Sequence, residues 1–199
     1  MNFFSPVDQS FYMQPTLLLA KSLIGKHLVH ILDGEYLVGQ ITETEAYLGV
    51  LDPACHSFGR KKTKRTKVLY GEPGRIYTYS MHTHCLLNIV CEEPGQPEAV
   101  LIRAIEPIAG IKKMEKLRGM QLKNKQFSNG PGKLTKAMGI TMDYYGLSLL
   151  DESLYIAEGS IEPPVLATKR VGIGGARQAK HYPWRFINSA TPFVSIYRS

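Results

Sequence analysis

The chain has 199 residues, 44% of them hydrophobic and 21% charged, an ordinary globular composition with enough length to bury a sizeable core. Lys and Arg outnumber Asp and Glu by 24 to 17, giving a formal charge of +7, which favours an acidic partner. Three cysteines form neither a disulfide framework nor a paired-cysteine zinc motif, and the aliphatic cluster at Leu17–Ala20, Leu23 and Ile24 is too short to span a bilayer and is not ordered like a signal peptide. A cytoplasmic protein with no membrane partner is expected.

In chain order, Thr16 caps a short helix, "TLLLAKSLI", with Gly25 as its stop, and "KHLVHIL" reads as a strand. Asp33-Gly34 supports a tight turn, so "EYLVGQITETEAYL" returns antiparallel to that strand. Period two then places Glu43, Glu45 and Tyr47 on one face and Thr42, Thr44 and Ala46 on the other. "KVLYG", "RIYTYSM", "LLNIVC" and "AVLIRAI" read as strands, the last interrupted by Arg103. Residues 107–118 suit an amphipathic helix with Ile108, Ile111, Met114 and Leu117 towards the core and Lys112, Lys113 and Lys116 outward. "NGPGKLTKAMGI" opens a second helix, and "LSLL", "LYIA", "VLATKRVGI" and "FVSIY" alternate as short strands with turns.

With no linker or repeat, one domain over residues 1–199 is expected, of α+β class, around a curved antiparallel β-sheet with flanking helices and a protruding β-hairpin.

The positive charge clusters in "GRKKTKRTK" (59–67) and "KKMEKLRGMQLKNKQ" (112–126), a density suited to releasing counterions from a polyanion. Among site chemistries, zinc could draw on His56, His82, His84, Cys85 and Glu45, but "HTHC" crowds its ligands and lacks a second pair at a known spacing. The glycines of "VGIGGAR" do not complete a dinucleotide fingerprint, and no Gly-x-Ser-x-Gly elbow occurs. What remains is a carboxylate beside aromatics in a basic protein that also carries "YTYSMHTH". An enzyme acting on a base inside duplex DNA needs aromatic walls, a wedge, phosphate-binding cations and one ionisable group, and candidates for all four are present. A strand such as Ile76–Tyr79 also alternates as plain core packing would.

"TETEAYLG", "D..CHS", "RIYTY", "CLLNIV", "VLIRAIEP", "NGPGKL", "RVGIG" and "TPFVSIY", in this order over almost the whole chain, resemble the alkyladenine (3-methyladenine) DNA glycosylase family, the mammalian-type enzyme that also occurs in bacteria. The resemblance implies a monofunctional N-glycosylase that removes alkylated or deaminated purines from double-stranded DNA, with no metal or organic cofactor and no imine intermediate. It assigns Glu45 as the carboxylate that activates water, helped by Arg103 and the backbone carbonyl of Val171. Tyr47, His56 and Tyr79 match the residues that sandwich the flipped base, and Asn88 the side chain that disfavours the guanine amino group. Lys133 matches a phosphate contact. The hairpin is one residue short of the family pattern, so the wedge falls on His82, with Met81 as neighbour. From charge alone, Arg60, Lys61, Lys62, Lys64 and Arg65 are added as phosphate contacts. A monomer in the bacterial cytosol or nucleoid is expected. The competing readings are a non-catalytic nucleic-acid-binding module and a metal-dependent hydrolase.

Overall fold

The computed structural model describes residues 4–124, 126–159 and 163–195. Two short helices, α1 (Gln9–Tyr12) and α2 (Thr16–Ser22), precede the hairpin of β1 (His27–Leu32) and β2 (Glu35–Tyr47). The turn between them holds Asp33 and Gly34 at φ 51° and 77°, the left-handed pair that Asp-Gly accommodates, and fixes the register Leu32 to Glu35. There follow β3 (Ile76–Met81), β4 (His84–Cys91), β5 (Glu98–Ala109), α3 (Ile111–Arg118), α4 (Pro131–Met138), β6 (Leu154–Ala157), β7 (Val165–Thr168) and β8 (Arg185–Asn188).

The strands join in one antiparallel sheet of order β3-β4-β5-β2-β1-β6, and β8 pairs with both β2 and β7. The fold is α+β, as expected. β2 is its spine. β5 runs along one edge of it, while the other edge is shared, β1 taking residues 35–40 and β8 taking 43–45. Every residue from Ile41 to Ala46 is buried, so the "TETEA" carboxylates are drawn into the interior by pairing on both sides. The register of β2 on β5 shifts between Ile41 and Glu43 and again before Thr44, an irregularity of the kind that re-aims side chains. On the far side of β2, Thr44 Oγ1 donates to the Ala20 carbonyl of α2 at 2.7 Å, tying that face to the helical layer. Tyr12, Leu19, Leu23, Met114, Phe127, Leu134 and Met138 fill the main apolar core with buried strand residues such as Leu28, Ile41 and Ile102. Full burial of such side chains contributes about 1.5–3 kcal/mol each.

Several expectations need correction. Thr16 does not cap α2; it is the first helical residue, and its hydroxyl donates to Glu98 at 2.5 Å. "KVLYG" is a 3-10 turn over Lys67–Tyr70, not a strand, because Thr63 and Thr66 close it with backbone and hydroxyl hydrogen bonds. Residues 107–109 extend β5 against Val38 and Gly39, leaving Ile108 44% exposed, and α3 begins only after Gly110. Gly110 has φ 74°, and a Cβ there would stand 2.5 Å from the Tyr36 carbonyl oxygen, so the chain can turn into the helix only here. "LSLL" makes a single bridge, Ser148 to Arg75. The strand expected at "FVSIY" is absent over Phe193–Ser195, and its last two residues lie outside those described. β8, "RFIN", is a strand that the sequence pattern does not announce.

Candidate active site

β2 delivers Glu43, Glu45 and Tyr47 to one side of the sheet, and β5 delivers Arg103 to meet them. Glu45 is fully buried. Its Oε1 accepts the Val171 N–H at 2.6 Å, its Oε2 accepts the Tyr47 hydroxyl at 2.8 Å, and Arg103 Nη1 lies 3.4 Å from Oε2. A carboxylate has about four lone-pair positions, so these contacts orient Glu45 without saturating it. Burial raises its pKa above the ordinary value; Arg103, the Val171 amide and the Tyr47 hydroxyl oppose the rise, and Glu43 adds to it. Burial likewise pushes the Tyr47 phenol well up, keeping it a donor.

Those three partners, Tyr47, Arg103 and Val171, line a cavity of about 150 Å³ together with His56, Tyr77, Tyr79, Met81, Asn88, Cys55, Leu69, Leu86, Leu101, Gly172 and Ile173. Glu45 therefore lies directly beneath the cavity rather than on its surface. His56 and Tyr79 pack edge to face with ring centroids 4.7 Å apart, and Tyr77 lies 5.5 Å from Tyr79. His56 Nδ1 and the Tyr77 hydroxyl share a hydrogen bond of 2.7 Å. Burial, reinforced by Arg65, lowers the His56 pKa to about 4, so the ring is neutral at pH 7. Tyr79 rises to about 12, chiefly by burial. Asn88 Nδ2 donates to the Tyr77 carbonyl at 3.0 Å, which fixes the amide at the cavity wall.

The anticipated residues divide into two groups. Glu45, Arg103, Val171, Tyr47, His56, Tyr79, Asn88 and Met81 converge at or just below the cavity. Val171 also donates its N–H to Glu45, a contact separate from the role in holding water that the resemblance implies for its carbonyl. His82 occupies the exposed two-residue turn between β3 and β4, with φ 46°. Met81, at the end of β3 and 46% exposed, shares the strand face of Tyr77 and Tyr79, and it is Met81 that reaches the rim. Arg60, Lys61, Lys62, Lys64 and Arg65 are exposed, and among the described residues none is paired with a carboxylate. Lys62 Nζ stands 5.1 Å from the Tyr70 ring centre. Lys133, away from the cavity lining, donates to Asn129 at 3.0 Å. Among the described residues, no three of the His, Cys, Asp and Glu side chains converge as metal ligands do.

Sequence reasoning missed the supports behind the cavity. Arg170 donates from both terminal nitrogens to Asp52, at 2.6 and 2.9 Å, and to the Ala46 carbonyl at 2.9 Å. Its guanidinium carbon lies 4.8 Å from the Tyr47 ring centre and 4.9 Å from that of Trp184. Asp52 also accepts the N–H groups of Leu48 and Ala54, so one buried ion pair joins the His56 loop, the end of β2 and the Val171 loop. A basic residue inside the apolar run "VLATKRVGI" was the available signal. A larger concavity of about 570 Å³, against α2 and β7, has no carboxylate among the described residues of its lining. Size alone therefore does not choose the site; the buried acid beneath aromatic walls does.

The class defined by this arrangement agrees with comparison to known proteins. The sequence model of the methylpurine-DNA glycosylase family matches residues 10–192, and the chain belongs to that family. It is accordingly a hydrolase of N-glycosyl bonds in DNA and serves DNA repair, which sets aside the non-catalytic binding module. Among relatives, a Shouchella clausii protein described as "Putative 3-methyladenine DNA glycosylase" is 63% identical over 193 residues, covering 96% of each chain. A Bacillus subtilis protein of the same description is 46% identical over 191 residues, covering 96% of this chain and 97% of the relative.

Proposed function

We propose that the chain is a monofunctional glycosylase that extrudes alkylated or deaminated purines, of the 3-methyladenine, hypoxanthine and ethenoadenine type, from duplex DNA and hydrolyses their N-glycosidic bond. The observation that carries this reading is the fully buried Glu45 beneath the cavity whose walls include Tyr47, His56 and Tyr79. Extrusion brings the purine into the aromatic cavity and the deoxyribose towards Glu45. As the bond from C1′ to the purine nitrogen breaks, its electron pair leaves with the base. Water attacks C1′ and gives its proton to the Glu45 carboxylate, which also steadies the positive charge developing on the sugar. Burial makes Glu45 a stronger base than an exposed glutamate.

Arg103 and the Val171 amide hold that carboxylate in place, and the Val171 carbonyl joins Arg103 in orienting the water. Tyr47, His56 and Tyr79 hold the purine between π faces, and the fixed Asn88 amide crowds the position of a guanine amino group. Alkylation weakens the glycosidic bond, so selectivity combines lability with fit. Met81, apolar and on the cavity face, fills the gap beside the extruded nucleotide; His82 at the turn enters the groove next to it. Lys133 and the loop of Arg60, Lys61, Lys62, Lys64 and Arg65 contact phosphates. The cavity lining contains no lysine among the described residues, which supports hydrolysis without an imine. The protein acts as a monomer in the bacterial cytosol, and its reaction requires no cofactor. Incubation with an alkylated duplex followed by mild alkali tests the proposal: strand breaks at the lesion, appearing only after alkali and with chelator present, are expected. Alkali-resistant DNA, or loss of activity with chelator, contradicts it.

A further inference from the structure

The guanidinium of Arg103 is shared unequally between two glutamates that are both fully buried. Its Nε donates to Glu43 Oε1 at 2.7 Å, whereas its Nη1 remains 3.4 Å from Glu45 Oε2. Glu43 takes more besides. Arg185 Nε donates to the same Oε1 at 2.8 Å, and Ser195 donates its backbone N–H at 2.5 Å and its hydroxyl at 2.6 Å. Two cations are thus concentrated on the carboxylate that the reaction does not use, while Glu45 has one amide, one phenol and the far end of a shared guanidinium. Two buried arginines balance two buried glutamates in number, yet both donate Nε to Glu43, so the compensation is unevenly placed.

We propose that Glu43 is a positioning residue: by keeping Arg103 on its own carboxylate it leaves Glu45 short of compensating charge, and so sets the pH at which Glu45 becomes a base. The proposal rests on the assignment of Glu45 as that base. Among the described residues, the charged and titratable groups facing Glu45 are few. Glu43 and Tyr47 lie on its own strand, Arg103 on β5, Tyr79 on β3, and Arg170 on the loop after β7, while Arg185 is its register partner on β8. The two phenols stay protonated, and Arg170 is engaged by Asp52. Arg103 is therefore the adjustable cation. The carboxylates diverge accordingly. For Glu43, burial is the largest single influence and acts upward, but Arg103, Arg185 and the two Ser195 hydrogen bonds together outweigh it and hold its pKa below the ordinary range; for Glu45 burial prevails.

The test compares the wild type with Glu43→Gln and Arg185→Gln in single-turnover excision across pH, using an unpaired lesion, together with carbon-13 NMR titration of the glutamate side chains in the free protein. Glu43→Gln releases Arg103 towards Glu45 and removes the Glu43 charge that adds to its rise, so the acid limb and the NMR midpoint of Glu45 fall by about one unit. Arg185→Gln leaves Glu43 dependent on Arg103 alone, and both values rise. A merely structural role lowers the plateau in both variants and moves neither midpoint. Unmoved midpoints, or movement in the same direction, overturn the proposal. If circular dichroism shows Glu43→Gln unfolded, Arg185→Gln decides: a rise supports the proposal, and anything else overturns it. Should Glu45→Gln excise normally while the NMR midpoints still move oppositely, the base assignment fails and the tuning stands.

Discussion

Arg170 and Asp52 form a bidentate pair, 2.6 and 2.9 Å, with neither side chain exposed to solvent, directly behind the ring of Tyr47. Through this pair the Val171 loop is held to the end of β2 and the His56 loop, more than 100 residues earlier in the chain. Asp52→Asn strands a buried guanidinium, and removing one partner from such a pair costs about 3–5 kcal/mol. Denaturant unfolding is the measurement, and a change below about 1 kcal/mol contradicts a pinning role.

Stability should respond to pH in opposite senses at the two glutamates. Glu43, its folded pKa depressed, contributes stability above the unfolded glutamate pKa, and this is lost as pH falls through the depressed value. Glu45, its folded pKa raised, contributes stability that is complete below the unfolded pKa and is lost as pH rises through the raised value. Glu45→Gln cannot ionise. The melting temperature of that variant relative to wild type is therefore expected to climb as pH rises from below the ordinary glutamate pKa through the raised one; a difference independent of pH contradicts the burial argument.

At the hairpin, Met81→Ala should slow excision of a base-paired lesion more than of an unpaired one, because only the former must be unstacked. His82→Ala, altering a side chain on the turn rather than the cavity face, should have the smaller effect. Single-turnover rates on the two duplexes decide, and equal reductions on both remove Met81 from the wedge.

The basic loop predicts a salt effect independent of the lesion. Replacing Lys61, Lys62 and Lys64 with Ala should reduce the slope of log K against log salt by about 0.9 for each phosphate that is no longer neutralised. An unchanged slope places the DNA elsewhere.

Much of this was legible in the sequence. The Asp-Gly turn, the paired strands and the "TETEAY" alternation follow from local chemistry, and period two by itself brings Glu45 and Tyr47 to one side. The resemblance gathered His56, Tyr79, Asn88 and Arg103 around them, from segments whose juxtaposition no local pattern reveals. What stayed hidden depends on tertiary partners. α3 starts late because Pro107–Ala109 find ladder partners on β2, which outweighs their amphipathic spacing. Thr16 is drawn from capping by a distant glutamate. The Asp52–Arg170 pair, 118 residues apart in sequence, and the Ser195 closure over Glu43 carry no periodicity at all.

The most direct measurement is single-turnover base release by Glu45→Gln from a duplex bearing one alkylated adenine, alongside its affinity for a duplex carrying an abasic-site analogue. Excision is expected to fall by about 10²–10⁴-fold or more while that affinity stays nearly intact. Base release at the wild-type rate would contradict the account.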